Sequence, residues 1–213
     1  MLKADKRKFV ITSIVTILPI LAGMILWQKL PAVMATHIGT DNLANGFSSK
    51  AFAVFGIPLF CLAVQCVTAF KILNDPRKHN ISPKMYAFVL WIIPIVSLYV
   101  AAMMYPFNLG YQMNISFYSE IFVGFMFVVI GNFLPKVRHN YTIGVRIPWT
   151  LNNEINWNRT NRLAGYLWAA EGVMIILLTL SGLMKIGWLI GSIAAAIMVP
   201  IIYSYLLYSR SGL

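Results

Sequence analysis

Six apolar runs, each about as long as a bilayer is thick, recur along the chain and leave little room for another architecture. They cover approximately residues 9–27, 51–72, 84–105, 117–134, 163–183 and 187–208. A hydrocarbon core roughly 30 Å thick needs about 20 apolar residues in a helix. In hydrocarbon a helix satisfies every backbone N–H and C=O within its own segment, and an open sheet does not. The expected fold class is therefore an all-α integral membrane protein, multi-pass in the cell membrane, and a composition of 59% hydrophobic and 11% charged residues agrees. The first run follows a basic head, as a signal peptide would. It is longer than a usual signal core and has no convincing small-x-small site before Lys29, so it reads as a retained helix.

A net charge of +11 would suggest nucleic acid as a partner in a soluble protein. Here topology accounts for it, and no direct nucleic-acid contact is expected. Fourteen of the 17 basic residues fall on one side of the six-helix plan: in the N-terminal head, between the second and third runs and at their facing ends (Lys71 and Lys84), between the fourth and fifth, and at Arg210. Lys29, Lys50 and Lys185 fall on the other. By the positive-inside rule both termini are expected in the cytoplasm, with membrane lipid as the partner of the basic head.

Between the fourth and fifth runs lies the one long polar stretch, residues 131–168, expected to be an ordered cytoplasmic segment. It carries five basic residues, six Asn between positions 140 and 161, and three Trp. Pro148 disfavours helical geometry at Ile147 and fixes its own φ, so Arg146 and the residues after it should be extended or turned. A helix then restarts, with Thr150 or Asn152 as N-cap and Glu154 in the first turn, where the helix dipole favours an anion. Trp157, Asn161, Ala164 and Trp168 follow at spacings of four, three and four and share one helical face.

Elsewhere the polar residues are few. The loop at 30–50, expected outside the cell, contains the turn formers Gly39, Asp41, Asn42, Asn45 and Gly46 and reads as an ordered loop. His37 and Asp41 lie within it, but two candidate ligands do not make a metal site, and no metal or cofactor is expected. The loop at 106–116 has no formal charge and is rich in aromatic and amide groups, which suits either the interfacial belt or a surface that accepts an apolar peptide. Cys61 and Cys66 lie about 140° apart around one helix and cannot pair, which leaves buried thiols as the reading. Pro19, Pro58, Pro94 and Pro200 fall within apolar runs, where they either serve packing or break a helix around a ligand.

Three polar side chains sit within the runs: Gln65, Glu120 and Glu171. Glu120 lies near an outer end and can reach water. Glu171 lies roughly 12 Å along the fifth helix, where an ionised carboxylate costs on the order of 3 kcal/mol. It is expected to face the bundle interior, and together the three are candidates for a polar cavity.

The motif Asn140-x-x-Ile143-Gly144-x-Arg146-x-Pro148-Trp149-Thr150-Leu151, followed by Trp157-x-x-Thr160-Asn161-Arg162, resembles the signature of the SdpI family of bacterial multipass membrane proteins. Leu30-Pro31, His37, Asp41 and Ser49-Lys50 resemble the extracellular loop of the DUF1648-like domain that often precedes it, with Ala35, Asn42 and Ala44 departing from the usual residues. The resemblance implies two parts, residues 1–75 and 84–213. It also implies an immunity protein that protects its cell from an extracellular toxic peptide of the sporulation-delaying type and that, in the peptide's presence, holds a cytoplasmic winged-helix repressor at the membrane, with the signature segment expected to change its cytoplasmic exposure. An enzyme is not expected: the sequence has no HExxH, no GxSxG and no pair of intramembrane aspartates. The alternative functions are a small transporter or an intramembrane peptidase that removes the peptide.

Overall fold

The computed structural model describes residues 3–211; Met1, Leu2, Gly212 and Leu213 lie outside the described residues, as does the side chain of Lys3 from the basic head. The chain is a multipass membrane protein with six helices long and apolar enough to cross a bilayer. It runs α1 (Lys3–Ile25), β1 (Val33–Ile38), β2 (Ala44–Ser49), α2 (Ile57–Leu73), α3 (Pro83–Asn108), α4 (Ile115–Phe133), the short α5 (Pro148–Asn152), α6 (Glu154–Leu180) and α7 (Ile186–Ser211). Two compact units result. One joins the chain up to Asn74 to Ser82–Ser116, and the other joins Asp75–Ile81 to the chain from Phe117 onward.

In the first unit α1 packs against both α2 and α3. Between them lies a small polar cluster at membrane depth. Gln65 is fully buried; its amide donates to Thr12 Oγ1 (2.7 Å) and its carbonyl receives the Thr16 hydroxyl. Ser97 Oγ donates to the Thr16 carbonyl (2.8 Å), one turn before Pro19, and the Tyr105 hydroxyl donates to the Pro19 carbonyl (2.9 Å). Side chains of α3 thus hydrogen-bond backbone carbonyls of α1 at and just before Pro19, around the one turn where the proline leaves the ladder a bond short. Pro19, Pro94 and Pro200 lie inside continuous helices, so none of them breaks its helix around a ligand. Pro58 sits at the start of α2, after a π-helical turn over Phe52–Gly56. The two thiols do not pair, and neither is buried as expected: Cys61 is half-buried and Cys66 exposed.

The loop at 30–50 is ordered, as expected, and takes the form of a β-hairpin that the turn formers alone did not specify. Residues 33–38 pair antiparallel with 44–49, with an irregularity around His37. Asn42 adopts φ +59°, a left-handed turn conformation that Asn tolerates better than most residues. Asp41 Oδ1 accepts from Leu43 N–H (3.0 Å) at the same turn. The hairpin is pinned to helix ends by amides: Asn108 accepts from Ala35 N–H (2.7 Å) and donates to Ala35 C=O (3.0 Å), while Asn42 accepts from Ser116 N–H (3.0 Å).

In the second unit α4 and α6 touch backbone to backbone. A Cβ built on Gly172 would stand 2.3 Å from Gly124 O, and one on Gly131 would stand 2.5 Å from Ala169 N. No side chain other than hydrogen fits between them. Two pairs of glycines, each spaced by seven, thereby fix the crossing that places the segment between these helices.

Candidate functional site

That segment, residues 137–153, is a compact loop whose polar groups are almost all used internally. Asn140 is buried and closes a turn on itself: its Oδ1 accepts from Thr142 N–H (2.8 Å) and Ile143 N–H (2.7 Å), and its Nδ2 donates to Arg138 C=O (2.7 Å). Gly144 has φ +112°, and a Cβ there would lie 2.7 Å from Asn161 Oδ1. Both facts exclude side chains at this position. The close approach lets Asn161 Oδ1 accept from Val145 N–H (2.8 Å). Trp157 is fully buried and donates from Nε1 to Val137 C=O (2.9 Å). Thr150 is also fully buried; its hydroxyl accepts from Ile147 N–H (3.1 Å) and donates to Val145 C=O (2.8 Å).

The backbone follows the proline. Ile147 is extended at φ −126°, and Pro148 opens α5, where its fixed φ and missing N–H cost nothing. The restart of α6 differs from expectation: Asn153 is the N-cap, accepting from Ile155 N–H (2.8 Å) and Asn156 N–H (3.0 Å), and neither Thr150 nor Asn152 fills that role. The intervening five-residue helix delays the restart, and Glu154 does occupy the first turn. Trp157, Asn161 and Ala164 are buried together along one face of α6, and Trp168 continues it, donating to Ala196 C=O (3.1 Å).

A second contribution comes from the connection between α2 and α3. Asp75 is buried, and its carboxylate accepts from Arg77 N–H (2.7 Å), Tyr141 N–H (2.9 Å) and Thr142 Oγ1 (2.6 Å). Arg77 donates to His139 Nδ1 (2.6 Å) and lies over the Tyr141 ring at 5.1 Å. His139 Nε2–H donates to Leu151 C=O (3.0 Å), and the ring stacks on Trp157 at 4.9 Å. With Nδ1 accepting and Nε2 donating, the imidazole is held neutral. Burial, reinforced by the Arg77 guanidinium, holds its pKa below the ordinary value against smaller opposing effects of Leu151 and Glu154.

The signature residues therefore divide. Asn140, Gly144, Thr150, Trp157 and Asn161 are interior scaffold. Arg146 and Arg162 are exposed, Arg146 donating to Tyr141 C=O (3.1 Å), and Trp149 is half-buried with its ring edge-on to Tyr205 at 5.2 Å. Sequence reasoning passed over Asp75, Arg77 and His139. The one available signal was an acid, Asp75, inside an otherwise basic connection.

Gln65, Glu120 and Glu171 each have a partner of their own instead of sharing one. Glu171 is buried, 6% exposed, and accepts from Ser192 Oγ on α7 (2.6 Å); Glu120 accepts from Thr179 Oγ1 on α6 (3.0 Å). In the hairpin Pro31 is exposed, His37 meets Asn45, and Asp41 serves the turn. Lys50 donates to Trp27 C=O (2.9 Å) and Leu30 C=O (2.8 Å) just beyond α1, where the helix dipole favours a cation. Among the described residues no group of three or more His, Cys, Asp or Glu is placed to hold a metal.

Comparison with known proteins matches both regions. Residues 136–204 match the SdpI/YfhL protein family, and residues 14–62 match a domain of unknown function, DUF1648. The chain is 25% identical over 209 residues to the protein named Immunity protein SdpI from Bacillus subtilis (strain 168), covering 96% of this chain and 97% of that one. No solved structure matches. The family match spans the loop scaffold, α6 and most of α7, and the relative aligns nearly end to end, so the chain is similar to the SdpI/YfhL family through residues 136–204 and to that immunity protein over nearly its whole length.

Proposed function

We propose that this chain is a membrane immunity protein that protects its cell from an extracellular toxic peptide of the sporulation-delaying type by binding it, and that the loop at 137–153 reports the bound state to a cytoplasmic winged-helix repressor. The observation that carries the reading is the similarity, over nearly the full length of both chains, to a protein named for immunity. The loop adds support, because its interior is fully occupied by structure while Arg146 and Trp149 remain at its surface. A guanidinium there can make fork-shaped bonds to carboxylates of a partner. A peptide shifts such a loop only by binding one of its states better than the other. The polar contacts that join α4 to α6 at Glu120 and α6 to α7 at Glu171 are groups whose pairing could differ between states.

The test is survival of a toxin-sensitive host exposed to the peptide, with variants compared at measured membrane levels. Wild type protects. Arg146→Ala and Trp149→Ala lose protection at normal level, whereas Asn140→Ala, which leaves backbone donors without a partner at about 1–3 kcal/mol each, loses level and protection together. Failure of well-expressed wild type to protect overturns the reading. The fate of the added peptide separates the mechanisms: intact and membrane-bound for a receptor, cleaved for a peptidase, returned to the medium for a transporter.

A further inference from the structure

The second unit has a groove that the loop scaffold does not use. It opens between α6 and α7, encloses about 430 Å³, and is lined by Ile155, Arg159, Arg162 and Tyr166 of α6 and Tyr203 of α7, among others. Spacings of four, three and four put the α6 residues on one helical face, and all four are exposed. Neither guanidinium has a carboxylate partner among the described residues, and the one acid within residues 154–168 is Glu154.

The position of the groove selects its occupant. At 27 residues α6 is roughly 40 Å long, about 10 Å more than a hydrocarbon core, so its first turns stand in the headgroup layer. Beyond Tyr166 the same exposed stripe becomes apolar, with Val173, Leu177 and Leu180 at intervals of seven, four and three. A paired cation above, two phenols at the boundary and an open hydrocarbon stripe below match one molecule: a phosphate diester on acyl chains. An acidic peptide would satisfy the arginines and leave the lower half facing lipid.

We propose that this groove is a binding site for an anionic phospholipid, with Arg159 and Arg162 on the phosphate oxygens and an acyl chain along Val173 and Leu177. Guanidinium geometry suits bidentate phosphate contacts, and a tyrosine at headgroup depth is favoured on its own account.

The experiment is native mass spectrometry of the full chain, purified in neutral detergent and offered phosphatidylglycerol or phosphatidylcholine, with helicity and monodispersity checked for each variant. Phosphatidylglycerol is expected to be retained preferentially, and Arg159→Gln with Arg162→Gln to lower that retention by roughly fivefold per arginine. Lys136→Gln with Arg138→Gln, the same change in charge outside the groove, should leave retention unchanged. Arg159→Lys with Arg162→Lys, which keeps the charge and is the least disturbing to folding, should retain more than the Gln pair and less than wild type. Equal losses in the two Gln pairs would reduce the effect to diffuse charge and overturn the site. Displacement of phosphatidylglycerol by equimolar inorganic phosphate would overturn the lipid in favour of a free anion. Binding of a polyglutamate peptide without binding of phosphatidylglycerol would overturn it in favour of an acidic protein segment. The readout is bound lipid and not survival, so its failure leaves the immunity reading standing.

Discussion

His139 shows how far a single residue can be from self-explanatory. Both its ring nitrogens are engaged, one accepting from Arg77 and the other donating to Leu151, so a second proton would have to enter between the imidazole and a guanidinium. The folded state therefore disfavours the charged form, and the unfolded chain takes up the proton first as pH falls. Stability contributed by the neutral ring is fully present above the ordinary histidine pKa and declines as pH drops below it. Thermal unfolding of the detergent-solubilised protein between pH 8 and pH 5 should show that decline, and His139→Gln should flatten it. A dependence equally steep in the variant would assign the effect to another group. Neither His139 nor Asp75 was legible in the sequence, because their partners are 62 and 66 positions away, in different connections between helices. Asn140, Trp157 and Asn161 were legible as a site, but the sequence could not say that their polar atoms would be spent on the loop itself.

Among elements, the α4–α6 pair carries the tightest constraint. Its glycines are where the helices meet, so a methyl group at position 172 must displace backbone rather than a flexible side chain. Gly172→Val should sharply reduce the amount of membrane-integrated protein, by the overpacking that costs about 1–3 kcal/mol even in forgiving cores. Gly187→Ala and Gly191→Ala, where nothing lies within 4 Å of the added carbon, should leave it unchanged. Quantifying protein in washed membranes decides it; since Val and Ala both raise helix propensity over Gly, equal loss at all three positions would mean that the close contact at Gly172 is not responsible. The long helices were readable from apolar length because the bilayer imposes that length. The hairpin was not, since its strands are six residues each, one of them ANGFSS, and its order derives from Asn108, Asn42 and Ser116 rather than from strand propensity.

For the molecule as a whole, six apolar spans and the lopsided distribution of basic residues predict, by the positive-inside rule, that both ends and the 137–153 loop face the cytoplasm and the hairpin faces outward. Single cysteines introduced into a chain lacking Cys61 and Cys66 test it with an impermeant maleimide on intact cells. Asn45→Cys should be labelled, while Lys6→Cys and Ser209→Cys should be labelled only after permeabilisation. Labelling of all three in intact cells would refute the arrangement. If the hairpin does face outward, its edge decides how a visiting peptide can be recognised. Many proteins capture extended peptides by adding them as a further strand, which requires a free N–H and C=O on an outer strand. At the centre of β1 those groups belong to Ala35, and the amide of Asn108 already holds both. A toxin meeting that edge finds its place taken by a side chain, and recognition there must proceed through shape and apolar contact rather than by extending the sheet.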